Sequence, residues 1–115
     1  MIEQSRNNNN MLDSEHSLLI IREIESNPEL TQRYLAVKLS VSLGKVNYLV
    51  KELTNRGIIK IHNFEKSQNK LGYMYILTPR GFKTKIQLVR KFIAFKTKEY
   101  ERLKREIQSL KNLKI

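Results

Sequence analysis

At 115 residues, 40% of them hydrophobic, the chain can bury one modest core. It has no cysteine, which excludes disulfides, thiolate chemistry and cysteine-based zinc sites, and its longest aliphatic run is LLII at 18–21, far short of a membrane span. Its 22 Lys and Arg against 11 Asp and Glu give a net charge of +11, which favours a polyanionic partner, nucleic acid before an anionic membrane.

Residues 1–12 are polar, include an asparagine tract at 7–10, and read as a disordered tail with no secretory character, so a cytoplasmic location is expected. From Asp13 to Ser26 the apolar set Leu18, Leu19, Ile21 and Ile24 recurs at helical spacing. Asn27-Pro28 ends that helix, because the residue before proline is pushed out of helical geometry. Thr31 is then an N-cap for a second helix carrying Leu35, Ala36 and Leu39. Ser42 caps a third that runs to Asn55 or Arg56, where Gly57 supplies the left-handed residue that commonly follows a helix. The period then changes. IIKIH (58–62) and LGYMYIL (71–77) read as strands around a polar hairpin loop, NFEKSQNK. Thr78-Pro79 opens a last helix that runs without a further proline to about residue 113, roughly 50 Å at 1.5 Å per residue.

Charge is polarised along this order. Residues 13–29 carry a local −4, residues 45–70 a local +4 and residues 80–115 a local +9. The last helix bears two apolar stripes. Ile86, Val89, Ile93, Lys96, Tyr100, Leu103, Ile107 and Leu110 alternate by three and four, which is the a/d seam of a coiled coil and needs a second chain, most simply a copy of itself. Phe82, Leu88, Phe92 and Phe95 form the other stripe, expected to pack on the domain.

Helix, helix, short break, helix and hairpin together make a winged helix-turn-helix, so the expected fold is mainly α with a small β-hairpin (α+β), followed by a long C-terminal coiled-coil helix. The divisions expected are a tail over 1–12, the winged helix-turn-helix over 13–79 and a dimerisation helix over 80–115. At about 100° per residue, Val46, Leu49, Val50 and Leu53 share the inner face of the third helix. Gly44, Tyr48, Lys51 and Asn55 lie opposite, flanked by Lys45 and Asn47, and are mostly types that contact base edges and phosphates. Gly44, a helix-weakening residue in the first turn, either lets the backbone approach DNA or merely eases the turn from the second helix. Lys60, His62, Asn63, Lys66, Ser67, Asn69 and Lys70 populate the hairpin and its tip, where minor-groove or phosphate contact is expected. His16 and His62 have no partner at metal-ligand or catalytic spacing. No P-loop, GxGxxG, HExxH or GxSxG motif occurs, so neither an enzyme nor a cofactor or metal is expected.

NPELTQRYLAVKLSVSLGKVNYLVKELTNRGIIKIHNF, then KLGYMYILTPRGFKTKIQLVRKF and the EYERLKREI tail, resemble the MarR-type winged-helix regulators. SLGKVNYL, the NF after the first strand and YILTPRG place the likeness more narrowly, with the subset linked to exopolysaccharide (EPS) biosynthesis clusters. The resemblance implies a homodimeric regulator of transcription that binds double-stranded DNA. It puts Ser42, Leu43, Gly44, Lys45, Asn47 and Tyr48 on the recognition helix and Gln32 and Arg33 at the start of the preceding one. Typical members have an extra N-terminal helix that helps to dimerise and to frame a small-ligand pocket. Here only a polar tail is expected in its place, so dimerisation falls to the C-terminal helix and no small-molecule effector pocket is expected. Two other readings are a protein-interaction module with incidental DNA contact and, for residues 82–95, a peripheral membrane helix.

Overall fold

A computed structural model describes the backbone of residues 2–67 and 70–113 and the side chains of residues 13–65 and 72–113. Four helices and one hairpin follow in the order α1 (Ile2–Ser26), α2 (Gln32–Leu39), α3 (Leu43–Asn55), β1 (Ile59–Ser67), β2 (Lys70–Leu77) and α4 (Pro79–Asn112). This is a winged helix-turn-helix with a long C-terminal helix, mainly α with one antiparallel hairpin.

Side-chain caps set the starts of three helices. The Thr31 hydroxyl accepts from the Tyr34 amide at 3.0 Å, Ser42 from Lys45 at 3.0 Å and Thr78 from Gly81 at 2.9 Å, each satisfying an amide that the helix itself leaves unpaired. Between α2 and α3 the chain turns through Ser40, the one non-glycine residue in the left-handed region among those described, and its amide reaches back to Ala36 and Val37. Gly57 takes the left-handed conformation after α3.

The core is formed where these elements meet. Ile20, Ile21 and Ile24 of α1 close against Leu35, the inner face of α3, and Ile58, Ile59 and Tyr75 of the hairpin base, and Leu18 is buried beside them on α1. Leu19, expected inside, is more than a third exposed, and Ile20 takes its place. Ile20, Ile21 and Ile24 fall within about 100° of one another on the wheel, whereas Leu19 stands on the far side of Leu18. The helix also starts earlier than expected. No proline or glycine occurs among residues 2–12, so nothing in the polar segment breaks the backbone that the packed turns of α1 propagate. One long helix therefore stands where a tail and a shorter helix were expected.

The acidic segment at 13–29 has an internal role. Asp13 pairs with Lys45 of α3 at 2.6 Å, and Glu25 with Lys85 of α4 at 2.6 Å. Glu23 accepts from the Tyr34 hydroxyl at 3.2 Å, with Lys38 of α2 at 3.9 Å. Each contact is worth little alone, yet together they tie α1 to every other helix.

The hairpin strands run further than expected, so most of NFEKSQNK is paired strand, with a register shift between Glu65 and Ser67. Lys60 to Asn63, Glu65 and Tyr73 are exposed along the ribbon, where the ladder of backbone bonds persists without the apolar alternation used to recognise a half-buried strand.

Thr78 and Gly81 lock α4 to the head. The Thr78 hydroxyl bonds the Gly57 and Ile58 carbonyls, its amide donates to Ile58 at 3.0 Å, and the first turn of α4 passes so close that a Cβ on Gly81 would lie 2.0 Å from the Ile58 oxygen. From that anchor α4 lies along α1 and then leaves the head, giving a molecule 71 Å long and 27 Å wide. Leu88 packs on the core, and Phe92 and Phe95 are half-buried. Phe82 does not join them. It is 53% exposed and, standing four residues before Ile86, continues the seam of exposed residues at the same spacing.

Candidate nucleic-acid interface

Capping by Ser42 and the burial of Val46, Leu49, Val50 and Leu53 fix the rotation of α3 about its axis. Gly44, Asn47, Tyr48, Lys51 and Asn55 are thereby exposed together on the outward face, as the helical wheel requires, and Leu43, which the wheel sets beside Val50, is exposed as the first residue of the helix. A Cβ on Gly44 would meet only the Ser42 oxygen at 3.9 Å, and the backbone there is not left-handed. Neither the turn nor the packing of this chain therefore requires glycine at 44, which removes the turn-easing explanation.

Lys45 differs from its neighbours. Its ammonium is held by Asp13 and lies 5.3 Å from the centre of the Tyr48 ring, so it is half-buried at the edge of the face and partly neutralised. Asn47 donates through Nδ2 to Gln32 Oε1 at 3.3 Å, and Gln32 donates through Nε2 to the Tyr75 hydroxyl at 3.3 Å. This relay joins α3, the start of α2 and the hairpin, holding two of the expected contact residues in fixed relation. Burial, partly offset by the bond from Gln32, raises the Tyr75 phenol above its ordinary pKa, so it stays protonated.

Arg33 is exposed at the first turn of α2, and Lys60, His62 and Asn63 are exposed along β1. Asn69 lies outside the described residues, as do the side chains of Lys66, Ser67 and Lys70. Asp13 and Tyr75 join this region without a signal in the sequence. Asp13 acts through a long-range pair with no spacing signal, and Tyr75 reads simply as a core-facing strand aromatic.

Behind this face a cleft of about 380 Å³ opens between α1, α3 and α4, with Leu49, Leu53 and Leu88 on its floor and Asp13, Glu52, Arg56 and Lys91 around it. Among the described residues no cluster of His, Asp or Glu could hold a metal ion, and no helix is long and apolar enough to cross a membrane.

The surface thus presents a polar helix face with free N-terminal amides next to a charged ribbon, the combination that enters a major groove and touches the adjacent backbone. No curated protein matches the chain. Residues 13–60, from the first described side chain of α1 to the start of the hairpin, match the family described as winged helix-turn-helix DNA-binding.

Proposed function

We infer that the chain is a sequence-specific double-stranded DNA-binding transcriptional regulator working as a homodimer through α4. The observation that carries this reading is the outward face of α3. Gly44, Asn47, Tyr48, Lys51 and Asn55 are exposed in one row while the opposite row forms the core. In this reading Leu43, Gly44, Asn47 and Tyr48 meet bases, and Ser42, Arg33, Lys51 and the hairpin residues Lys60, His62 and Asn63 meet the backbone or flanking groove. Lys66, Ser67, Asn69 and Lys70 at the hairpin end join them. Gln32 positions Asn47, and Lys45 contributes after partial neutralisation by Asp13. The exposed row Ile86, Ile93, Tyr100, Leu103, Ile107 and Leu110, with Val89 and Lys96 between, supports the dimer. The sequence resemblance to MarR-type, EPS-associated regulators supports exopolysaccharide genes as the target.

The test is duplex binding by the intact protein, followed by fluorescence anisotropy across salt concentrations. Affinity should fall linearly with salt on logarithmic axes, and Lys51→Ala should weaken binding to all duplexes and flatten the slope by about one unit per head. Salt-indifferent binding, or tight capture of a protein with no retention of DNA, would favour the interaction-module reading.

A further inference from the structure

The heptad positions of α4 carry an orientation signal. With Ile86, Ile93, Tyr100 and Ile107 at a and Phe82, Val89, Lys96, Leu103 and Leu110 at d, the e positions are Lys83, Arg90, Thr97, Lys104 and Lys111, and the g positions are Lys85, Phe92, Glu99 and Glu106. The face is free to receive a helix, since Phe82, Ile86, Ile93 and the seam residues from Tyr100 to Leu110 are all exposed while Leu88 and Lys85 turn toward the head.

We propose that a second copy of this chain occupies the α4 seam in parallel register, placing both heads at the same end of the coil. In a parallel pair each g residue meets the e residue five positions on in the other helix. Glu99 then faces Lys104 of the second copy and Glu106 faces its Lys111, and two-fold symmetry repeats both pairs. An antiparallel pair sets e beside e and g beside g. Every charged e residue is basic, so like charges would meet in any such register, and registers that cover the C-terminal half of the seam would also bring Glu99 and Glu106 against carboxylates.

Two features oppose the parallel arrangement, and intramolecular contacts answer both. Lys85 would face Arg90 of the other copy, but its ammonium is already 2.6 Å from Glu25 of its own head. Lys96 would face its own copy across the seam. Its ammonium instead sits over the flanking Phe92 and Phe95 rings, at 5.5 and 5.7 Å, and 3.3 Å from Glu99, drawn away from the centre. Resting on the DNA reading above, this orientation presents the two α3 helices to neighbouring half-sites, whereas a fully overlapped antiparallel rod would separate the heads by roughly 50 Å.

Because the natural chain has no cysteine, single Leu110→Cys and Ile86→Cys variants of the full chain report the orientation directly. Equivalent d positions of a parallel pair lie about 6 Å apart at Cα, within disulfide reach. Under mild oxidation Leu110→Cys should cross-link to itself, and a mixture of the two variants should yield no mixed disulfide. A mixed disulfide without self-linkage of Leu110→Cys overturns the parallel arrangement and leaves the dimer standing. Sedimentation of the unmodified chain as a monomer overturns the dimer reading itself. As an independent check, Glu99→Lys with Glu106→Lys should raise the dimer dissociation constant about tenfold or more. Adding Lys104→Glu and Lys111→Glu to the same chain should restore it, and a double variant that dimerises like the original contradicts the proposal.

Discussion

Replacing Gly81 by alanine should destabilise the fold by about 3 kcal/mol, at the upper end for over-packing a tight contact. The added Cβ would stand 2.0 Å from the Ile58 oxygen, 2.9 Å from the Ile58 carbonyl carbon and 2.7 Å from Leu77 Cδ1. Leu77 can turn aside, but the Ile58 carbonyl cannot, because it accepts from both the amide and the hydroxyl of Thr78. Relief would require the first turn of α4 to lift from the head, breaking those bonds and shifting Leu88 on the core. Thermal unfolding followed by circular dichroism should show a midpoint roughly 10–20 °C lower for a domain of this size. A midpoint within a degree or two of the original would mean that α4 is not docked through Gly81.

The second large effect is on binding. Leu103→Glu combined with Ile107→Glu places two carboxylates in the seam, at positions that are about half exposed and beyond the head. The head should therefore keep its structure while the dimer dissociates. Two linked heads gain about 10²–10⁴ in affinity over one, so the double variant should sediment as a monomer and bind an inverted-repeat duplex at least about a hundredfold more weakly. Unchanged sedimentation would show that α4 is not the dimerisation helix. Monomeric protein with unchanged affinity would show that one head suffices.

The starts and stops of helices were legible in the sequence because they depend on near neighbours. Thr31, Ser42, Gly57 and Thr78-Pro79 each act within a few residues of chain. The two faces of α3 were legible for a similar reason, since one period relates all ten positions from Gly44 to Asn55 that were assigned to them. Gly81 was not. Its need for a bare Cα arises from Ile58, more than twenty residues away, and a first-turn glycine gives no sign of that approach. Gly44 is the converse case, for the same local signal occurs where the fold leaves the space open. Leu19 and Ile20 exchanged places because four adjacent apolar residues fit several wheel rotations, and packing against α2 and α3 selects one. Phe82 leaves the stripe expected to pack on the domain because it extends the three-four alternation of the exposed seam by one step. The pairing of Lys45 with Asp13 is not legible in the sequence, because 32 residues separate them and no local spacing relates the two.

The most direct test of the claim that α3 presents its backbone to DNA is paired measurement of stability and affinity for Gly44→Ala. Alanine fits the space, and its helix preference should stabilise the protein by up to about 1 kcal/mol. The same methyl would stand on the outward face, between the backbone and the groove floor. The expected result is a higher unfolding midpoint together with weaker binding to duplex DNA. A more stable protein that binds DNA as tightly as the original would contradict close approach of this helix to the groove.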